Sequence, residues 1–138
     1  MKVHIPASRA VGIALIALSF AVGAVESGLF LRADDTLPLW DKAIHALCAL
    51  GIVLVVAPRG LSARSAVAIA LGAGLVWEVI QFVIDPFQKH TPPIYAIDTL
   101  TDLAADVAGG LIALRWTAAA VTREAARAAG PRPAERTT

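Results

Sequence analysis

Several ionisable or amide side chains of this 138-residue chain lie inside its apolar segments or close to their ends. A charged side chain near a bilayer centre costs about 2.5–3.5 kcal/mol on insertion scales, so such residues are rare and usually functional. Carboxylates and an imidazole together can hold a cation or transfer a proton. We therefore predict one polar site within apolar surroundings, drawn from Glu26, His45, Glu78, Gln81, Asp102 and Asp106.

The spacing of the polar residues places them on shared helix faces, because residues three or four apart lie on one side of an α-helix. Three aspartates on one stripe repel one another unless they are protonated, paired or bound to a cation. Lys42 and His45 are the nearest cations, and a divalent metal ion is a further candidate. The groups are Asp41 with His45, Glu78 with Gln81, and Asp98 with Asp102 and Asp106.

Each polar residue taken alone also has a structural explanation. Asp41 and Asp98 would be helix N-caps, a position that aspartate favours. His45 would be a hydrogen-bonded packing residue, and Gln81 would join two helices by a hydrogen bond worth about 0.6–2 kcal/mol. Glu26 would extend toward the headgroups or stay protonated.

Asp102 and Asp106 are harder to explain in this way. Both lie further inside their apolar segment, and Glu78 comes from the segment expected to face it. We therefore expect a functional site at these carboxylates rather than a purely structural cluster.

The composition indicates a membrane protein. Hydrophobic residues make up 57% of the chain, charged residues 17%, and the mean hydropathy is +0.69. The net charge of +1 and the lack of a basic stripe give no indication of a nucleic-acid partner. The single cysteine, Cys48, excludes an intrachain disulfide and a cysteine-based zinc cluster.

Four apolar stretches predict an all-α, four-helix transmembrane bundle, about 20 residues being needed for each span. We expect residues 1–122 to form this domain and residues 123–138 a flexible polar tail. Prolines mark 85–97 as a loop, with Tyr95 as an interfacial anchor. A cleaved signal peptide is the alternative for the first stretch. The stretches are 10–31, 43–57, 65–84 and 100–121, and close helix packing is expected at Gly72, Gly74, Gly109 and Gly110.

The distribution of Lys and Arg predicts that both termini are cytoplasmic, in a multi-pass protein of the plasma membrane. With four spans, every helix then brings its polar residues to the outer half of the membrane. The side predicted as cytoplasmic holds Lys2, Arg9, Arg59, Arg64, Arg123, Arg127, Arg132 and Arg136, and the other side holds Arg32, Lys42 and Lys89.

The same residues resemble the motifs of the VanZ-like family of small bacterial membrane proteins. That family is named after a member associated with resistance to the glycopeptide antibiotic teicoplanin, so the resemblance implies a role in antibiotic resistance at the cell envelope. It covers about residues 38–114. The matching pieces are Asp41-Lys42-x-x-His45, Glu78-x-x-Gln81 and Asp102-x-x-x-Asp106-x-x-Gly109.

Two departures from the family pattern make this site more acidic. The family usually has an arginine shortly after the glutamine, where this chain offers only Lys89, and Asp106 replaces the family's asparagine. Both changes favour a cation or metal over an anionic ligand.

The leading functional hypothesis is a membrane protein that modulates envelope susceptibility by binding an envelope lipid, a cell-wall precursor or an amphiphilic antibiotic. The expected partners are membrane lipids and a lipid-linked or glycopeptide ligand; homo-oligomerisation is left open. The proposed ligand-binding residues are Asp41, Lys42, His45, Glu78, Gln81, Asp102 and Asp106.

Two other functions compete with it. One is a metal-assisted enzyme acting on a lipid or polyprenyl-phosphate, with His45, Glu78 and Asp102 as catalytic candidates and a divalent metal as cofactor. The other is a cation or proton pathway, which is disfavoured because the inner halves of the apolar stretches lack polar residues. The sequence assigns no metal ligands and does not decide whether the protein is an enzyme.

Overall fold

A computed structural model describes residues 7–26, 38–84 and 92–128 of the chain. Within these ranges the protein has four α-helices and no strand, which confirms the all-α four-helix prediction. A short 3-10 turn, Ala57–Arg59, follows the second helix. The helices are α1 (Ala7–Glu26), α2 (Pro38–Val56), α3 (Ala63–Ile84) and α4 (Pro92–Ala128).

The connection between α2 and α3 is specified locally. Pro58 lies in the 3-10 turn, and Gly60 has a φ of 81°, a left-handed conformation that glycine adopts without a Cβ clash. Ser62 then caps α3, because its Oγ accepts a hydrogen bond of 3.1 Å from the backbone N–H of Ser65.

Helix α4 is longer than predicted at both ends. The loop expected over 85–97 is wrong in its last part, since α4 begins at Pro92. Proline is well tolerated in the first helical turn, where its missing N–H would have no intrahelical partner. At the other end, alanine and arginine favour helix, and α4 continues past residue 122 to Ala128. Residues 129–138 lie outside the described residues, so the flexible tail stays a prediction.

Helix α2 is the centre of the bundle and packs against α1, α3 and α4. Glycines permit two of these contacts. A Cβ on Gly12 of α1 would lie 2.6 Å from the backbone oxygen of Gly51, and one on Gly109 of α4 would overlap the backbone carbonyl of Ala46. An apolar core of small and branched side chains fills the space beside them: Ala49, Val53, Leu54, Ala66, Ala70 and Ala113.

The surface of the bundle is apolar and part of its interior is acidic. Glu78, Asp102 and Asp106 are among the largest fully buried side chains, whereas Val76 and Val83 of α3 point outward. Two stretches, Trp40–Arg59 and Ala63–Val83, are long and apolar enough to cross a membrane, yet only 28% and 22% of them is buried. Such low burial distinguishes them from the core helices of a soluble protein and fits contact with lipid.

Candidate functional site

The polar site lies where α2 and α4 begin and α3 ends. Its side chains form two adjoining groups, which we call the lysine layer and the histidine layer. The lysine layer consists of Lys42, Asp41, Asp98 and Asp102, and the histidine layer of His45, Glu78, Gln81 and Asp106. Helices α2, α3 and α4 therefore surround the site, and α1 packs against α2.

In the lysine layer one ammonium faces three carboxylates. Nζ of Lys42 lies 2.5 Å from Oδ1 of Asp98, 2.7 Å from Oδ1 of Asp102 and 3.5 Å from Oδ2 of Asp41. Asp102 is fully buried, and neither of its oxygens accepts a hydrogen bond of acceptable angle from the described residues. A single lysine therefore offsets only part of the negative charge gathered around it.

The N-cap explanation is wrong for Asp98 and Asp41. Helix α4 begins at Pro92, so Asp98 lies within the helix and pairs with Lys42 of α2. Asp41 lies in the first turn of α2, which begins at Pro38. A carboxylate there is stabilised by the positive end of the helix dipole rather than by acting as the cap itself.

In the histidine layer the imidazole lies between two carboxylates. Nδ1 of His45 lies 3.3 Å from Oδ1 of Asp106, and Nε2 lies 3.5 Å from Oε1 of Glu78. All three side chains are at most 4% exposed. Although Asp41 shares a helix face with His45, the hydrogen-bonding position at Nδ1 is taken by Asp106.

Glu78 is held by neighbours on α3 and α4. Oγ1 of Thr99 donates a hydrogen bond of 2.7 Å to Oε2, and the hydroxyl of Tyr95 donates to the backbone oxygen of Glu78 over 3.2 Å. With the Gln81 amide turned to satisfy its neighbours, its nitrogen lies 3.2 Å from Oε1 of Glu78 and its oxygen accepts from the indole N–H of Trp77.

Thr99 and Tyr95 are site residues that the sequence prediction missed. Tyr95 was placed in the loop predicted over 85–97, and the Thr99 hydroxyl is neither ionisable nor an amide. Once α4 is extended to Pro92, residues 95, 99, 102 and 106 follow one helix face at steps of three or four. An earlier helix start would have identified that stripe.

A glycine makes room for one of the buried carboxylates. A Cβ on Gly74 of α3 would overlap the carboxylate of Asp106, so only glycine lets α4 bring this group against α3. Gly74 and Gly109 thus confirm the predicted close packing, and Gly110 makes ordinary contact. The prediction is wrong for Gly72, since no atom of another described helix lies within 4 Å of the position that a Cβ would take there.

An apolar cleft of about 140 Å³ adjoins the histidine layer, with α1, α2 and α3 as its walls. His45 and Asp106 form its polar end wall. Phe20 of α1 and Trp77 of α3 meet edge to face, with ring centroids 5.6 Å apart. The other lining side chains are mainly apolar: Ile44, Cys48, Ala49, Ile52, Ala70 and Ala73, with Ser19 and Gly74.

The seven predicted ligand-binding residues thus come together at one end of the bundle. Three of them could hold a metal ion, because Asp41, His45 and Asp102 each offer a ligand atom within 4.8 Å of the other two. The side chain of Glu26 and the whole of Lys89 lie outside the described residues.

Comparison with known proteins identifies a family but no characterised relative. Residues 1–123 match the family described as "Predicted membrane protein (DUF2238)". No curated protein and no solved structure matches the chain. The matching family is not the VanZ-like family that the motifs resemble, so the assignment to VanZ is corrected, while the membrane character is retained. The chain belongs to the DUF2238 family of predicted membrane proteins.

Proposed function

We propose that this protein is a multi-pass plasma-membrane protein that binds an amphiphile from the lipid bilayer and thereby modulates envelope susceptibility. The ligand's chain lies in the cleft, and its polar group meets the histidine layer. Candidate ligands are an envelope lipid, a lipid-linked cell-wall precursor and an amphiphilic antibiotic.

The observation that carries this proposal is the contact between an apolar cleft and a buried polar pair. Ligand sites are typically apolar concavities with a few converging polar groups that fix orientation. The cleft has this character, because mainly apolar walls end at His45 and Asp106. It also lies between α1 and α3, which make little direct contact with each other, so a chain could enter from the lipid side.

The charge of the site favours a cationic or hydrogen-bond-donating polar group. Lys42 and His45 are the basic residues of the two layers, and carboxylates outnumber them: Asp41, Glu78, Asp98, Asp102 and Asp106. Opposite charges close together in a medium of low dielectric attract strongly, and like charges repel strongly. An amine-bearing headgroup therefore suits the site better than a bare phosphate.

The orientation belongs to the same proposal. Two basic residues where α2 ends and α3 begins, Arg59 of the 3-10 turn and Arg64 of the first turn of α3, support a cytoplasmic position for that end of the bundle. The polar site would then face the outer leaflet. In a variant with Cys48 replaced by alanine, a cysteine at position 88 should react with an impermeant maleimide in intact cells. One at position 61 should react only after permeabilisation. Labelling of position 61 from outside would refute this orientation.

Binding is tested by photocrosslinking. The full chain is reconstituted into phosphatidylethanolamine and phosphatidylglycerol vesicles containing a trace of phosphatidylethanolamine with a diazirine on its acyl chain. We expect crosslinks at cleft-lining residues, and Ala73→Phe should abolish them by filling the cleft. Ala68→Phe is the matched control, since Ala68 is exposed on the same helix and does not line the cleft.

A competition experiment tests the preference for a cationic group. An alkylammonium should suppress the cleft crosslinks at lower concentration than an alkyl phosphate of the same chain length. Equal crosslinking of the Ala73→Phe and Ala68→Phe variants at the cleft residues would refute the binding proposal. Stronger competition by the phosphate would refute the proposed charge preference.

A further inference from the structure

We infer that Asp41, His45 and Asp102 form a binding site for a divalent metal ion of the zinc class, and that the Lys42 ammonium competes for it. The inference goes beyond the proposed function, because it concerns a site between the lysine layer and the histidine layer and does not require an amphiphile in the cleft.

The donor geometry is the first argument. One ligand atom from each of the three residues lies within 4.8 Å of the other two. Ligands bound at about 2.0–2.2 Å from a tetrahedral zinc ion lie roughly 3.4 Å from one another, so the three side chains would have to move closer together by up to about 1.4 Å to complete the contacts. Three protein ligands leave a fourth position for water or another molecule.

Unsatisfied buried atoms provide a second and independent argument. Within the described residues, Nε2 of His45 and both carboxylate oxygens of Asp102 form no hydrogen bond of acceptable geometry. Oδ1 of Asp102 meets Lys42 as an ion pair at 2.7 Å, and Nε2 of His45 faces Oε1 of Glu78 at 3.5 Å. Asp102 is 0% and His45 4% exposed. Buried polar atoms are nearly always hydrogen-bonded, so the incomplete hydrogen bonding of these two buried side chains supports a further ligand that would complete it.

The position of Lys42 indicates competition. Its ammonium lies among the same carboxylates, 2.7 Å from Asp102 and 3.5 Å from Asp41. A bound dication would be repelled by this positive charge, and Lys42 would have to turn toward Asp98, its nearest partner at 2.5 Å. Lysine has a flexible four-carbon stem that permits such a movement.

An entry path leads from the exposed end of the lysine layer. The Asp41 and Asp98 side chains are 32% and 31% exposed, whereas the Asp102 side chain is fully buried. An ion can thus meet exposed carboxylates first and reach the buried donors afterwards. The mixed donor set of one imidazole and two carboxylates suits zinc and similar ions better than Mg²⁺ or Ca²⁺, which prefer oxygen ligands alone.

The test is equilibrium binding of Zn²⁺ to the full chain in detergent, after chelator treatment, with bound metal measured by elemental mass spectrometry. We expect one Zn²⁺ per chain, little displacement by excess Mg²⁺ or Ca²⁺, and loss of binding in His45→Gln and Asp102→Asn. Asp98→Asn is the matched control, because it removes the same charge from the same layer without removing a proposed ligand.

Lys42→Met gives the decisive variant. Removing the competing ammonium should tighten Zn²⁺ binding by about tenfold or more, because charge repulsion is strong at a poorly solvated site. Circular dichroism and gel filtration confirm that each variant is folded. Absence of stoichiometric zinc, equal loss in Asp98→Asn and Asp102→Asn, or weaker binding in Lys42→Met would each overturn the inference. Zinc binding without cleft crosslinking would instead leave the inference standing and remove the amphiphile proposal.

Discussion

The close contact between α2 and α4 can be tested with two glycine-to-alanine substitutions that differ only in what the added methyl group meets. At Gly109 a Cβ would overlap the backbone carbonyl of Ala46, and backbone cannot move aside as a flexible side chain can. At Gly72 no atom of another described helix lies within 4 Å of the added carbon. Both glycines lie inside helices, so both substitutions gain the same helix propensity.

The magnitude follows from two opposing effects. Alanine is favoured over glycine inside a helix by about 0.8–1.0 kcal/mol, so Gly72→Ala should be stabilising by up to that amount. Overpacking a filled interface costs about 1–3 kcal/mol, which Gly109→Ala must bear in addition. Because the propensity gain is common to both variants, their free energies of unfolding should differ by about 1–3 kcal/mol, with Gly72→Ala the more stable.

The assay is reversible unfolding of the detergent-solubilised protein by sodium dodecyl sulfate, followed by circular dichroism. The two variants are compared with each other and with the unchanged chain under identical conditions. A Gly109→Ala variant as stable as Gly72→Ala would show that α2 and α4 are not in backbone contact at Ala46.

Two further predictions concern the polar layers and use the same unfolding assay. Thr99→Val should lower the free energy of unfolding by about 1.5–3 kcal/mol, since it removes a hydrogen bond to a buried carboxylate. Thr101→Val should be nearly neutral, because the exposed Thr101 hydroxyl bonds to its own helix. Similar losses in the two variants would argue against the Thr99–Glu78 contact. In metal-free buffer, Lys42→Met should lower the free energy of unfolding by about 3 kcal/mol, because it removes the ion-pair partner of Asp102. The double variant that also carries Asp102→Leu should recover much of that stability, because the buried charge is then gone. Additive losses in the double variant would contradict the pairing.

The helices could largely be predicted from the sequence because their apolar stretches are long and interrupted by proline and glycine. The end of α3 at Ile84 was predicted correctly, since Asp85-Pro86 cannot continue a helix. The start of α4 was not, because Pro92 and Pro93 are compatible with either a loop or a first helical turn. Local sequence does not separate these two cases, and the packing of Tyr95 against α3 decides between them.

Much of the candidate site could also be predicted, because helical spacing fixes which residues share a face. Which partner each residue meets could not, since that depends on how the helices rotate against one another. His45 is four residues from Asp41 on its own helix, yet its closest carboxylate is Asp106 of α4. Likewise, Gly12 and Gly51 determine the α1–α2 contact, but nothing in the local sequence distinguishes them from Gly72.

The sharing of charges between helices has a consequence for how the protein enters the membrane. Helix α4 carries Asp98, Asp102 and Asp106, and it is not among the helices apolar enough to cross a membrane by composition. Each unpaired carboxylate near the bilayer centre would add about 2.5–3.5 kcal/mol to the insertion of α4 alone. The basic groups that neutralise them, Lys42 and His45, belong to α2. If α4 crosses the membrane as proposed, we therefore expect it to insert against α2 rather than alone, so that a chain lacking α2 would insert α4 poorly.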